Sequence, residues 1–84
     1  MKTITFRSEP FFFYKEKDGT KPFTVRKLED TEERYIALNK MTATHITIAH
    51  TNGMESFTRK ITDVTYMPFF QLWSIAWKHE EDNK

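Results

Sequence analysis

The stretch Gly19-Thr20-Lys21-Pro22-Phe23-Thr24-Val25-Arg26-Lys27 decides how the rest of the chain is read. Phe23 and Val25 alternate with Thr24 and Arg26, the period-two pattern of a half-buried strand. The pattern predicts a strand over residues 22–27, its apolar pair toward a core and Thr24 and Arg26 on the opposite face. Lys21 at the entry and Arg26 near the exit then form a compact polar group beside that core.

Upstream, Lys2-Thr3-Ile4-Thr5-Phe6-Arg7 alternates cleanly and predicts a first strand with Ile4 and Phe6 inward. Ser8-Glu9-Pro10 reads as a capping residue followed by a first-turn proline, and so as a helix start. That helix is expected to run through Phe11-Phe12-Phe13-Tyr14-Lys15-Glu16-Lys17 and to stop at Gly19, which tolerates a left-handed end. Two or three of its four aromatics are expected in the core and at least one at solvent, a groove or a partner.

Downstream, residues 28–41 allow a second, short helix capped by Asp30 with Glu33 reaching back. Tyr35, Leu38 and Met41 would then share a face. His45 to His50 alternates as a strand, and Asn52-Gly53 signals a tight type I′ hairpin. The return strand, residues 55–66, changes phase between Ile61 and Val64, which calls for a bulge or bend near Thr62. Pro68 marks a break. Residues 69–78 read as a closing strand with Trp73, Ile75 and Trp77 on one face, a helix being the alternative for so short an apolar run. The resulting class is α+β: a small mixed, mainly antiparallel, barrel-like sheet of about five strands with one or two short helices. One domain spans residues 1–78, and residues 79–84 form a polar tail.

Composition narrows the function. The chain's 84 residues suffice for one modest core. Eight Phe, three Tyr and two Trp supply large buried areas from few positions. The absence of Cys removes disulfides and thiolate metal sites. Thirteen Lys and Arg against twelve Asp and Glu give a net charge of +1, too small an excess for a general polyanion binder. The acids cluster at residues 29–33 and 80–82, which leaves room for a local basic patch. No apolar run approaches the length of a membrane span and no signal-peptide core follows Met1-Lys2, so a soluble, cytoplasmic protein is expected.

Gly19, Lys21, Thr24 and Arg26 together resemble the Gly-x-Lys-x-x-x-x-Arg signature of ASCH domains, which are PUA-like β-barrels with short phage-borne forms. The Thr two residues before the Arg is similar to the small amidohydrolase branch. The resemblance implies a polar strand face that binds RNA or a nucleotide. In the amidohydrolase branch it implies a Lys-assisted Thr nucleophile acting with a glutamate on an acylated nucleoside. No Glu lies between Asp63 and Lys78, where the resemblance places that glutamate. A non-catalytic reading therefore leads, and no catalytic residue or cofactor is assigned.

For binding, Lys21, Thr24, Arg26 and Lys27 on one strand and Arg59 and Lys60 on another would meet phosphate, with Phe11 and Tyr14 stacking a base. His45 and His50, an odd number apart, fall on opposite strand faces, so no metal site is expected. The alternative is a phage-type inhibitor that blocks a host protein through exposed Phe11, Phe12, Phe69, Phe70 or Trp73.

Overall fold

The computed structural model describes residues 2–80. Its elements are β1 (Lys2–Ser8), α1 (Pro10–Asp18), β2 (Phe23–Lys27), α2 (Glu33–Asn39), β3 (Ala43–His50), β4 (Ser56–Met67) and β5 (Leu72–Trp77). The five strands form one strongly curled sheet, a half-barrel, in the order β1-β3-β4-β5-β2. Only β1 and β3 pair in parallel, because α1, β2 and α2 intervene between them; the other three pairings are antiparallel. The mixed, mainly antiparallel sheet with two short helices is the class the periodicities predict.

The core fills the concave side. Ile4, Phe6, Ile46, Ile48, Phe57, Trp73, Ile75 and Trp77 point inward at alternate strand positions, joined by Phe13 from α1 and Ala37 and Leu38 from α2. β4 stays in one sheet by the expected irregularity: its register with β5 shifts between Ile61 and Asp63. Phe57 and Ile61 therefore serve the core before the bulge, and Val64 packs against it afterwards.

The curl brings the two outermost strands, β1 and β2, toward one another; Arg26 of β2 spans the gap, and Arg34 of α2 reaches the same strand β1. Arg26 Nη1 donates to the Arg7 carbonyl at 2.8 Å and Arg34 Nη1 to the Thr5 carbonyl at 3.0 Å. Both guanidinium groups lie over the Phe6 ring, 5.0 and 4.6 Å from its centroid. Each satisfies a β1 carbonyl and covers an aromatic with one planar cation.

Several sequence expectations are corrected. The β2 faces are inverted: Thr24 is 2% exposed, while Phe23 and Val25 are 41% and 43% exposed. The register explains why, since Thr24 and Arg26 sit opposite Ile75 and Trp73, whose side chains face the core. Polar groups are tolerated inside because each finds a partner there. Of the four successive aromatics of α1 only Phe13 is buried. The cap of α1 is Glu9, without a side-chain bond, because the Ser8 hydroxyl turns inward to Glu16.

Helix α2 begins at Glu33 after a Glu32 cap that makes no side-chain bond, so Asp30 plays no capping part. Met41 lies past the helix at φ 59° and is exposed, off the face it would share with Tyr35 and Leu38. The β3–β4 connection is a five-residue loop, not a two-residue turn. Only Gly53 there has positive φ, and the Asn52 side chain accepts from Met54 N–H at 2.8 Å. Residues 68–71 form the β4–β5 turn, so of the expected closing strand 69–78 the first three residues are turn and the strand starts at Leu72. Of the polar tail, 81–84 lie outside the described residues; His79 packs on Gly19.

Gly19 is the position where glycine is required. It ends α1 at φ 94°, and a Cβ there would come within 2.8–2.9 Å of the His79 ring. A Gly19→Ala variant is expected to lose about 2 kcal/mol, from left-handed strain and displacement of His79. Urea unfolding of both proteins reads that loss as a lower midpoint at unchanged slope.

Candidate functional site

A recess of about 380 Å³ opens in the gap between β1 and β2, under α1. Its position follows from local chemistry. The left-handed Gly19 ends α1, and the Lys21 N–H turns back to the Lys15 carbonyl at 3.0 Å. The Asp18 carboxylate accepts from the Thr20 N–H at 2.8 Å and fixes the same turn. This bond, first, holds the Asp18 carboxyl below its usual pKa. The tight turn carries Lys21 back alongside the helix it has just left.

There its ammonium meets Glu16, which is 1% exposed, at 3.1 Å. It also donates to the Phe23 carbonyl at 2.8 Å and lies 4.6 Å from the Phe23 ring centroid. Two of the three ammonium donors are thus committed, leaving one for the recess. The Glu16 carboxylate accepts a second bond, from the Ser8 hydroxyl at 2.7 Å. Ser8 in turn accepts from Arg26 Nη2 at 2.7 Å, and Arg26 Nε donates to Thr24 Oγ1 at 2.9 Å.

A continuous chain of bonds therefore runs Lys21–Glu16–Ser8–Arg26–Thr24. Each buried member polarises the next, and their geometries are mutually fixed. Burial pushes the Arg26 guanidinium below its ordinary pKa; Glu16 opposes this and the neighbouring Arg34 adds to it. The Thr24 hydroxyl accepts from Arg26 and retains its own proton to donate. Phe12 and Val25, both exposed, form apolar walls beside these donors. The arrangement can hold a flat, acceptor-rich ligand of modest size between an aromatic ring and a row of N–H and O–H groups.

Of the candidate residues, Lys21, Thr24 and Arg26 line this recess together. The others lie apart. Arg59 is buried, its guanidinium 4.8 Å from the Phe57 ring centroid and donating to the Thr58 carbonyl, so it is not part of an exposed basic face. Lys60 is exposed on β4, opposite His45 of β3, and Lys27 is exposed at the end of β2. Phe11 is exposed with the Lys15 ammonium 4.3 Å from its ring centroid, and the Tyr14 hydroxyl donates to Glu55 at 2.8 Å, which raises the tyrosine pKa. Neither lines the recess. Phe69 and Phe70 are exposed in the β4–β5 turn, whereas Trp73 is buried and offers no interface anchor.

No protein-family model matches this chain, and neither does any curated protein. The geometry of the recess carries the functional reading alone.

Sequence reasoning did not place Ser8, Phe12 or Glu16 at this site: it read Ser8 as a cap and Phe12 as an anchor for a protein partner. Glu16 follows Phe13 by one helical step of three, on the buried side of α1. A carboxylate on the stripe a helix buries, five residues before a lysine, was a readable signal. Ser8 reads equally well as a cap, and only its inward register on β1 distinguishes the two roles.

Among the described residues no helix is long and apolar enough to cross a membrane. Among the same residues, no three His, Asp or Glu side chains are placed to hold a metal ion.

Proposed function

We propose that this chain is a small ASCH-like module whose recess binds one nucleotide-sized ligand, either free or as a single base of an RNA. The observation that carries this is the convergence of Lys21, Thr24 and Arg26 on one recess that Phe12 also lines. A strand of RNA lying across a basic face fits less well, because Lys27, Arg59 and Lys60 do not line it. Base stacking on an exposed ring contributes roughly 1–3 kcal/mol, and the open donors of Lys21 and Thr24 supply selectivity.

Titration of the intact protein with the four ribonucleoside monophosphates and a short single-stranded RNA tests the proposal. At least one is expected to bind saturably, at least tenfold more weakly in Lys21→Ala and Thr24→Val and unchanged in Lys60→Ala. Absence of saturable binding across that set, or equal weakening by Lys60→Ala, overturns it.

A second reading, hydrolysis of an N-acylated nucleoside, gains support from Glu16. A carboxylate does stand beside Lys21, but it comes from α1, ahead of the motif, and not from residues 63–78. In that reading the Thr24 oxygen bonds to the acyl carbon, the C–N bond breaks and the departing amine takes up the hydroxyl proton. Water then releases the carboxylic acid and restores Thr24. Turnover of an acylated nucleoside that vanishes in both Thr24→Val and Glu16→Gln is its signature; no turnover across a panel of acylated nucleosides removes it.

A further inference from the structure

Strand edges border the gap between β1 and β2, and their backbone groups have a fixed direction. The Trp77 N–H donates to the Pro22 carbonyl at 3.1 Å, which sets the alternation along β2. Thr24 and Arg26 are in phase with Pro22, so their backbone groups turn to β5. Phe23 and Val25 therefore turn their N–H and C=O groups the other way, into the gap, and Val25 lines the recess there. Across the gap, the Thr5 and Arg7 carbonyls of β1 likewise face outward from the sheet.

Cations of the chain take up carbonyls on both sides: Arg34 holds Thr5, Arg26 holds Arg7 and Lys21 holds Phe23. On β2 this changes what the edge offers. A bare edge would present the Phe23 carbonyl beside the Val25 N–H, an acceptor next to a donor. With the Lys21 ammonium seated on that carbonyl at 2.8 Å, a donor stands in the acceptor's place. The row then runs donor, donor, acceptor: the free Lys21 N–H, the Val25 N–H and the Val25 C=O. The Lys21 nitrogen is also 5.7 Å from the centroid of the exposed Phe12 ring, so a base stacked on that ring brings an edge to the row.

We infer that the recess selects guanine, held along its N7, O6 and N1–H edge. This rests on the nucleotide reading above and adds which base is bound and by what. The Lys21 ammonium meets N7, the Val25 N–H meets O6, and the guanine N1–H returns to the Val25 C=O. Lysine on the O6 and N7 acceptors is a recurrent guanine contact. Adenine turns an amino group toward the Val25 N–H, donor against donor, and neither is satisfied. Uracil has no counterpart of N7. Cytosine carries two adjacent acceptors and a donor, but on a single ring with less area to lay on Phe12.

Titration of the intact chain with GMP, AMP, CMP, UMP, inosine monophosphate and 7-deaza-GMP tests the assignment. GMP is expected to bind most tightly of the four common nucleotides, and AMP about tenfold or more weaker. Inosine monophosphate keeps the whole edge and lacks only the 2-amino group, so it is expected to match GMP. The 7-deaza analogue lacks the N7 acceptor and is expected to lose about fivefold or more. Val25→Pro deletes an N–H that β5 does not use, a change an edge strand tolerates, and is expected to weaken GMP about tenfold. AMP or 7-deaza-GMP bound as tightly as GMP, a pyrimidine nucleotide bound more tightly, or GMP unaffected in Val25→Pro overturns the assignment and leaves the nucleotide reading standing. No saturable binding by any of the six overturns both. Should Val25→Pro fail to fold, GMP against 7-deaza-GMP on the unaltered chain decides alone.

Discussion

An Arg26→Ala variant is expected to lose about 3–5 kcal/mol of folding stability, the range for removing one partner from a buried charged network. Arg26 makes bonds to Thr24, Ser8 and the Arg7 carbonyl and rests on Phe6, so one truncation strips partners from β1 and β2 together. The buried Thr24 and Ser8 hydroxyl oxygens would each lose the donor they now accept from. Arg26→Lys is expected to recover less than half, because an ammonium cannot reproduce a planar fork that serves three acceptors on two strands. Chemical denaturation of the three proteins reads the outcome. A loss under 1 kcal/mol in the alanine variant would show that the gap between β1 and β2 is held by other contacts.

Phe13→Ala is the second large effect, about 3–5 kcal/mol, as expected for emptying an aromatic site in a packed core. Phe13 is fully buried and touches His50 and Phe57 edge-on or tilted, with centroids 5.1 and 5.5 Å away. It docks α1 onto β3 and β4 from within the core, while Tyr14 meets His50 from outside. Small domains have roughly 5–15 kcal/mol in total, so this loss alone brings the chain close to unfolding at body temperature. Phe11→Ala, two residues away on the exposed side, is expected to change stability by less than about 0.5 kcal/mol. Thermal melts of the pair separate the aromatics that sequence alone cannot.

That contrast shows what the residue pattern could and could not reveal. Strand periodicity was legible wherever an element is buried on one face: Ile4 and Phe6, Ile46 and Ile48, and Trp73, Ile75 and Trp77 all point inward as alternation requires. The phase change along β4 was legible because Ile61 and Val64 cannot share a face without an extra residue. Gly19 was legible as a helix stop because no other residue type accepts its backbone as readily.

The inward face of β2 was not legible. Alternation fixes which residues share a side but not which side is inside, and hydropathy points the wrong way when a polar network is internal. The partners that make Thr24 and Arg26 at home there come from β1 and α1, and nothing local to residues 22–27 announces them. For the same reason Glu16 of α1 was not read as the partner of Lys21. The reach of α2 failed differently: seven residues make too few turns for capping rules to fix the ends.

The pair of arginines astride Phe6 has a bearing on how the molecule behaves in company. A strand at the margin of a sheet offers carbonyls that a foreign chain can adopt as a template, and concentrated proteins polymerise along such margins. Here the Thr5 and Arg7 oxygens already have guanidinium partners, and the approach is guarded by positive charge. One of the two arginines that guard the first strand against such copying, Arg26, also lines the recess between β1 and β2.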